Sequence, residues 1–445
     1  AGRTYDATTG ATDAALTMTV NGLGKVGTAS TVNVVGAALK TLNVATSTAN
    51  SVVTLAGTQL TTLNVTGDKQ VILDTATHTL TKIDASKATG NVLVTNSKDA
   101  GMTFTGGTGN DYIGFAVTKF DVSDIVNGGA GTDTLALADV TVDATTTALN
   151  KQINAATAFE TVLFNAAAAT AVTRGVITNA TITKIAFDLG AANTATVTDA
   201  VAADTYAIGG NPTSATSAVK SFTITPKLGE NALTVSFEGN VAAVADTSTG
   251  GLTINGNLGQ INIASSGAGK GANTIGALTV ADNAKVVFTG ANAITNTGVT
   301  LATGNTGVTL DATAMTGAAT LVASGKGDII KGGTGKDTIT GGLGADVITL
   351  GAGADTFVVA GGASGPGAAI SNGTVDTITD LVLGAGGDIL KVGAGGAAGV
   401  VKTLTATQLT TVAAAADLTA AATAAIAAMG DGAKAVATFG FGTDT

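Results

Sequence analysis

The sequence has no cysteine and no tryptophan, and it contains only one histidine and three prolines among 445 residues. Without cysteine, the chain forms no disulfide and no thiolate-bound zinc site. A Ser-His-Asp triad would need His78, whose neighbours TATHTL are typical of an ordinary strand. The HExxH and GxSxG motifs are also missing from the sequence. We therefore expect that this chain is not an enzyme.

Charged residues are scarce and mostly acidic. Asp and Glu number 31 against 21 Lys and Arg, which gives a net charge of −10. Only Glu160, Glu230 and Glu238 are glutamates, and the strong bias to Asp favours turns and calcium loops over helix surfaces. An acidic chain is unsuited to nucleic acid, and no run approaches the roughly 20 apolar residues of a membrane span. The start at Ala1, with no signal peptide, suggests a mature form or a fragment.

Small and β-branched residues dominate the composition. Hydrophobic residues make up 45% of the chain but aromatic residues only 3%, which suits short strands stacked in rungs. The segments LKTLNV at 39–44, LTTLNV at 60–65 and LTKIDA at 80–85 start 21 and then 20 residues apart. This period predicts an all-β fold built as a parallel β-solenoid. For residues 1–100 a β-sandwich with similar strand spacing is the alternative.

A nine-residue pattern fills residues 323–358, which read ASGKGDIIK, GGTGKDTIT, GGLGADVIT and LGAGADTFV. Glycine recurs at positions one, two and four, where a sharp turn requires residues that tolerate positive φ. Position six is always aspartate and position eight is always apolar, so we expect the apolar side chain to point into a β-roll. The position-six residues are Asp328, Asp337, Asp346 and Asp355, and the position-eight residues are Ile330, Ile339, Ile348 and Phe357.

The nonapeptides predict calcium sites. Each aspartate puts a hard carboxylate beside turn carbonyls, and calcium takes about six to eight such oxygen ligands. Because two nonapeptides make one coil, we pair Asp328 with Asp346 and Asp337 with Asp355 across shared ions. The expected carbonyl donors in the central turns are the loop glycines Gly333, Gly335, Gly342 and Gly344.

A second, shorter calcium roll is predicted at 101–137. GGTGNDYIG at 106–114 and GGAGTDTLA at 128–136 are complete copies, and KFDVSDIVN at 119–127 is a degenerate copy after a four-residue insert. The corresponding aspartates are Asp111, Asp133 and Asp124, and the loop glycines are Gly107, Gly109, Gly129 and Gly131.

After the main roll, VDTITDLVLGAGGDILKV at 375–392 contains Asp376, Asp380 and Asp388, which we expect either to ligate calcium at the last coil or to cap it. Residues 405–429 predict an Ala-rich helix that stops at Gly430.

The expected organisation therefore has five regions. These are a β-rich solenoid or sandwich at 1–100, a first calcium roll at 101–137, a β-rich body of strands at 138–320, a main calcium roll at 321–395, and a helix and strand cap at 396–445.

At its nonapeptides the chain resembles the RTX family of proteins exported by Gram-negative bacteria. The remaining sequence, with GGAGTDTLAL followed by AFETVLFN at 158–165, is similar to RTX-type S-layer proteins. The resemblance implies that Asp328, Asp337, Asp346, Asp355, Asp111 and Asp133 ligate Ca²⁺ together with loop glycine carbonyls. It also implies type I secretion, calcium-driven folding outside the cell, and self-assembly into a surface lattice.

The resemblance further implies that a region outside this chain attaches the protein to lipopolysaccharide. The abrupt end of the sequence suggests that a C-terminal secretion signal is absent or trimmed. An RTX adhesin fragment that binds a host or glycan surface is the competing hypothesis, although no repeated domains of ~100 residues are visible. An RTX hydrolase is a third hypothesis, and for it we expect no activity.

Overall fold

The computed structural model describes residues 4–8, 14–96, 101–213, 218–239, 248–267, 272–359, 376–382 and 387–392. Within these ranges, strands follow one another along the chain, with one α-helix and one short 3-10 helix. The chain divides into two compact units. The first comprises residues 1–228 and 238–247, and the second comprises residues 229–237 and 248–445.

The first unit is a parallel β-solenoid, because within each stack of strands every strand pairs in parallel with the next strand of that stack. One stack contains β1 (Thr4–Thr8), β3 (Ser30–Val35), β5 (Ser51–Ala56), β7 (Val71–Asp74), β9 (Val92–Asn96), β11 (Tyr112–Phe115), β13 (Thr134–Leu137), β15 (Thr161–Phe164), β17 (Lys184–Phe187) and β19 (Thr205–Gly209). A second stack contains β2 (Ala15–Val20), β4 (Thr41–Thr46), β6 (Thr62–Gly67), β8 (Lys82–Ala88), β10 (Thr103–Thr105) and β12 (Ile125–Asn127). A third contains β14 (Thr141–Val142), β16 (Thr170–Thr173), β18 (Gly190–Ala200) and β20 (Ala218–Pro226).

The core of this unit lies inside the coil. In β4 the residues alternate between half-buried and buried, because successive side chains of a strand point to opposite faces. Leu42, Leu63 and Ile83 are register partners on consecutive rungs, and all three are fully buried. The sequence period near 20 therefore reflects one turn of a solenoid. The sandwich alternative for residues 1–100 is wrong, since the strands described there pair in parallel.

One α-helix, α1 (Thr147–Ala155), lies within the region 138–320 that the sequence predicts to be β-rich. The sequence did not predict this helix, in which Asn150, Gln152 and Ile153 are buried. Asn150 donates to the carbonyl of Asp143 at 2.5 Å, and Gln152 donates to the carbonyl of Asp124 at 2.6 Å. A 3-10 helix follows at Arg174–Val176.

The second unit is also a parallel β-solenoid. One stack contains β21 (Ala232–Gly239), which begins in this unit, β23 (Gln260–Gly267), β25 (Lys285–Gly290), β28 (Thr309–Met315), β30 (Ile329–Lys331), β32 (Val347–Thr349) and β34 (Thr377–Ile378). The other stack contains β22 (Ser248–Ile254), β24 (Asn273–Val280), β26 (Ile294–Asn296), β27 (Val299–Leu301), β29 (Ala319–Val322), β31 (Thr338–Thr340), β33 (Thr356–Val359) and β35 (Ile389–Val392). Strands β25, β28, β30, β32 and β34 pair successively in parallel.

The nonapeptide region of the second unit has the predicted interior. Ile330, Ile339, Ile348 and Phe357 are all buried, so position eight faces the core of the roll. The predicted C-terminal helix at 405–429 and the rest of the predicted 396–445 cap lie outside the described residues. In the part of the chain that the structure describes, no helix has the length and apolar character needed to cross a bilayer.

Candidate calcium sites

The position-six aspartates of the main roll lie buried in two stacks. Asp328, Asp337, Asp346 and Asp355 each expose at most 1% of their surface. The backbone N–H of Asp328 donates to Oδ1 of Asp346 at 2.8 Å, and that of Asp337 donates to Oδ1 of Asp355 at 2.8 Å. The structure therefore brings together the two pairs that the 18-residue spacing predicts, while the role of these aspartates as calcium ligands stays a prediction.

Both stacks continue into the segment after the main roll. The N–H of Asp346 donates to Oδ1 of Asp376 at 3.1 Å, and the N–H of Asp355 donates to Oδ1 of Asp388 at 3.0 Å. Asp380 lies elsewhere, because its carboxylate accepts the N–H groups that follow β32, from Leu350 at 2.7 Å and from residue 351 at 2.9 Å. Two of the three C-terminal aspartates thus extend the stacks, and Asp380 caps a turn.

The turns of the main roll are of two kinds. In one kind the N–H at position two donates to the aspartate of its own repeat, as Gly333 does to Oδ2 of Asp337 at 2.5 Å. In the other kind position two has positive φ, as at Gly342 (φ +105°) and Gly351 (φ +99°). The N–H of Gly351 then donates to Asp380 instead of to Asp355.

This difference leaves particular carboxylate oxygens without a hydrogen bond. Oδ2 of Asp346, Asp355 and Asp133 is buried and has no partner among the described residues. An unsatisfied buried carboxylate oxygen costs free energy, and a cation supplies the missing interaction. These three oxygens therefore fit a calcium ion, which would remove the penalty and add the hard oxygen ligands that calcium prefers.

Burial raises the pKa of the carboxyl groups in these stacks, including Asp328, Asp337 and Asp355. The pKa of Asp346 is raised first by burial and then by the neighbouring charges of Asp376 and Asp328. Burial raises the pKa of Asp133 to about 7. A bound divalent cation would reverse this trend, because it favours the ionised carboxylate.

Calcium would also need backbone oxygens at these sites. Among the described residues, no three acidic or histidine side chains gather into one metal-binding cluster. One or two aspartates supply fewer oxygens than the six to eight that calcium takes, so turn carbonyls would have to complete the set. The carbonyl of Gly333 is already engaged, because it accepts the N–H of Ala352 at 2.9 Å.

The predicted loop glycines serve two physical purposes. Four of them have positive φ, namely Gly129, Gly131, Gly342 and Gly344. The other four, Gly107, Gly109, Gly333 and Gly335, are not in that conformation but allow close approach of neighbouring coils. A Cβ on Gly333 would lie 2.6 Å from the carbonyl oxygen of Met315. The glycine pattern predicts the positive φ but not the close approach between coils.

The first roll repeats the arrangement on a smaller scale. The N–H of Asp111 donates to Oδ1 of Asp133 at 2.6 Å, and both carboxylates are buried. The carboxylate of Asp111 accepts the N–H groups of Val92 at 2.7 Å and Gly107 at 2.6 Å. Above Asp133 the stack continues to Glu160, a residue that sequence reasoning missed because it lies outside the nine-residue register.

Asp124 lies apart from the stack that contains Asp111 and Asp133. It precedes β12 in the other stack of strands, and its carboxylate accepts the N–H groups of Met102 at 2.6 Å and Asp121 at 2.8 Å. This position is expected for adjacent nonapeptides, which occupy opposite sides of a coil.

The comparison with protein families agrees with this geometry. The RTX calcium-binding nonapeptide repeat matches the chain in four copies, at residues 123–137 and 322–357. No match is found among curated proteins. RTX nonapeptides bind calcium and are typical of secreted proteins, and the matched segments together with the β-solenoid fit an RTX-type protein.

Proposed function

We propose that this protein is a structural component of a surface layer rather than an enzyme. It is exported by a type I system, folds on binding extracellular calcium, and self-assembles into a two-dimensional lattice on a Gram-negative cell. The observation that carries the proposal is the set of buried aspartate stacks within RTX repeats, which makes calcium part of the fold.

The stacks support a coupling between calcium and folding. Each aspartate contributes a carboxylate to one coil and a backbone N–H to the next, so neighbouring acidic groups lie within hydrogen-bonding contact of one another. Without a cation, this arrangement must accommodate buried negative charge, which is costly. Because metal binding and folding then form one equilibrium, low calcium keeps the repeats unfolded for export and high calcium folds them.

The outward faces of the second unit support the assembly step. Five half-buried threonines stand in register on consecutive strands and form a regular column: Thr274, Thr295, Thr320, Thr338 and Thr356. On the other stack, Ile329 and Val347 are register partners that expose 44% and 45% of their surface. Regular, weakly charged faces with exposed apolar residues suit packing against further copies of the chain.

The test is negative-stain electron microscopy of chelated protein before and after the addition of millimolar calcium. Ordered sheets should form with calcium and should be absent with magnesium at the same concentration, because magnesium prefers a smaller octahedral shell that retains water. Circular dichroism on the same samples reports folding independently of assembly.

Separate compact particles that fold with calcium would contradict lattice assembly. Saturable binding of the same calcium-loaded particles to cells or glycans would then favour the adhesin. Hydrolysis of casein, ester or glycan substrates would contradict the non-enzymatic part of the proposal.

A further inference from the structure

The first roll does not end at its last nonapeptide. The strand after Asp133 pairs in parallel with β15, with Thr134 opposite Thr161. A bridge between Asn127 and Thr157 places the start of the next turn directly above the start of the nonapeptide turn. Residues 157–160 therefore stack on residues 127–133, although they share no nine-residue pattern with them.

This next turn keeps two features of a nonapeptide turn with different residues. Ala158 has a φ of +53°, the left-handed conformation that glycine supplies elsewhere. A Cβ on Gly128 would lie 1.9 Å from the carbonyl oxygen of Ala158, so the two turns are in close contact. Only residues 158–160 separate the aligned positions Thr157 and Thr161, so this turn is shorter than a nonapeptide turn. Its acidic residue is a glutamate, whose side chain is longer than that of the aspartate in a nonapeptide.

Glu160 occupies the place of the next aspartate in the stack. Its Oε2 accepts the N–H of Asp133 at 2.7 Å, as Oδ1 of Asp133 accepts the N–H of Asp111 at 2.6 Å. The backbone confirms the alignment, because the N–H groups of Glu160 and Thr161 both donate to the carbonyl of Asp133, at 3.2 and 3.1 Å. The hydrogen bond from Asp133 uses only one oxygen of the Glu160 carboxylate.

An independent observation points to a cation beside Glu160. Asp133 is 1% exposed, and its Oδ2 has no hydrogen-bond partner within the described chain. In the preceding coil, the equivalent oxygen of Asp111 accepts the N–H of Gly107. The equivalent donor for Asp133, the N–H of Gly129, donates instead to the side chain of Asn127 at 3.0 Å. Asp133 therefore presents a buried anionic oxygen that the protein itself leaves unsatisfied.

We propose that Glu160 is a calcium ligand that closes the first roll, binding one ion together with Oδ2 of Asp133 and turn carbonyls. The glutamate replaces the aspartate that a further nonapeptide would have supplied, and its extra methylene spans the gap left by the shortened turn. This inference rests on the calcium binding that the proposed function requires, but it does not depend on lattice assembly.

The experiment uses terbium, a luminescent substitute for calcium, with the full-length chain. The sequence has no tryptophan and three tyrosines, and Tyr112 directly follows Asp111, so excitation of tyrosine reports terbium in the first roll. A Tyr112→Phe variant identifies the part of the signal that comes from this roll, and calcium competition gives the affinity for calcium. Asp133→Asn is the positive control, and Glu230→Gln makes the same charge change in the second unit.

Glu160→Gln should weaken terbium and calcium binding in the Tyr112-dependent signal at least about tenfold. Glu230→Gln should leave that signal unchanged. If Glu160→Gln binds as tightly as the unmodified chain while Asp133→Asn binds weakly, Glu160 is not a ligand and the proposal is overturned. If Glu160→Gln does not fold at saturating calcium, Glu160→Asp is measured in its place. The aspartate carboxylate should be too short to reach the ion, so the affinity for terbium and calcium should again fall about tenfold. An unchanged affinity of Glu160→Asp would overturn the proposal. Absence of any Tyr112-dependent signal in the unmodified chain would refute calcium binding by the first roll itself.

Discussion

Replacing the aspartate at position 346 by asparagine (Asp346→Asn) should change the stability of the main roll in opposite directions with and without calcium. The asparagine Oδ1 can still accept the N–H of Asp328, so the hydrogen bond between coils is retained. The substitution removes a buried negative charge that lies close to Asp376 and Asp328. Without calcium we therefore expect a gain of about 1–3 kcal/mol in the free energy of unfolding, because the neutral amide avoids the cost of burying a charge beside two other carboxylates.

With calcium the sign reverses. At a calcium concentration of about 1,000 times its dissociation constant, a site contributes about 4.1 kcal/mol to the free energy of unfolding, which exceeds the gain expected without calcium. The asparagine side chain in the variant would lack the charge that makes Oδ2 of Asp346 a strong ligand, so most of this contribution should be lost.

The same carboxyl group predicts a pH dependence. The pKa of Asp346 is raised above its ordinary value of 3.8 by burial and by the charges of Asp376 and Asp328. In calcium-free protein, stability from this group is therefore fully present below pH 3.8 and is lost as pH rises through the raised pKa. Calcium competes with the proton, so binding should strengthen as pH rises. Asp346→Asn should therefore remove the contribution of this carboxyl group to the pH dependence of stability and to the pH dependence of calcium binding.

The assay is hydrogen exchange with mass spectrometry on peptides from 323–358, combined with urea unfolding, in chelator and in millimolar calcium. Asp68→Asn is the control, because Asp68 is 65% exposed and pairs with Lys69 at the surface. An Asp346→Asn variant that is destabilised equally with and without calcium would refute the reasoning, since the aspartate would then have only a structural role.

Three further predictions concern the scaffold. Gly333→Ala should destabilise the roll by about 1–3 kcal/mol in thermal unfolding, because a Cβ there overlaps the backbone of the neighbouring coil. Arg174→Ala should cost roughly 3–5 kcal/mol in urea unfolding, because it leaves the buried carboxylate of Asp204 without its ion pair. Hydrogen bonds from Thr303 and from the backbone of 304–306 hold the pKa of Asp282 at about 2. The stability that this carboxylate gives its loop should be fully present above pH 3.8, should decline as pH falls below that value, and should be lost once pH has fallen through about 2. Asp282→Ala should speed hydrogen exchange of the loop at neutral pH.

Matched substitutions distinguish these effects from general loss of stability. Gly251→Ala should be nearly neutral, because the nearest atom to its added Cβ is 3.8 Å away. Lys69→Ala removes an exposed ion pair and should cost less than about 1 kcal/mol. A Gly333 or Arg174 variant no less stable than its control would contradict the corresponding argument, as would an Asp282 variant with unchanged exchange in its loop.

Patterns that repeat in the sequence predicted the corresponding parts of the structure well. The period near 20 placed Leu42, Leu63 and Ile83 on consecutive rungs, because each rung repeats the same inward position. Segments without a repeat were not predicted in this way. In the helix at Thr147–Ala155, Asn150 donates to the carbonyl of Asp143 just before the helix and Gln152 donates to the carbonyl of Asp124, and no local periodicity signals such contacts.

The sequence by itself determined the nonapeptide coil and the pairing of Asp328 with Asp346, because a nine-residue period repeated in one register specifies its own neighbours. Only the tertiary structure decided how each stack continues beyond its nonapeptides. Asp376 and Glu160 join their stacks after separations of 30 and 27 residues, through turns whose lengths follow no period. The tertiary structure also decided which buried oxygens lack a partner, because that depends on the direction in which each turn points its backbone N–H.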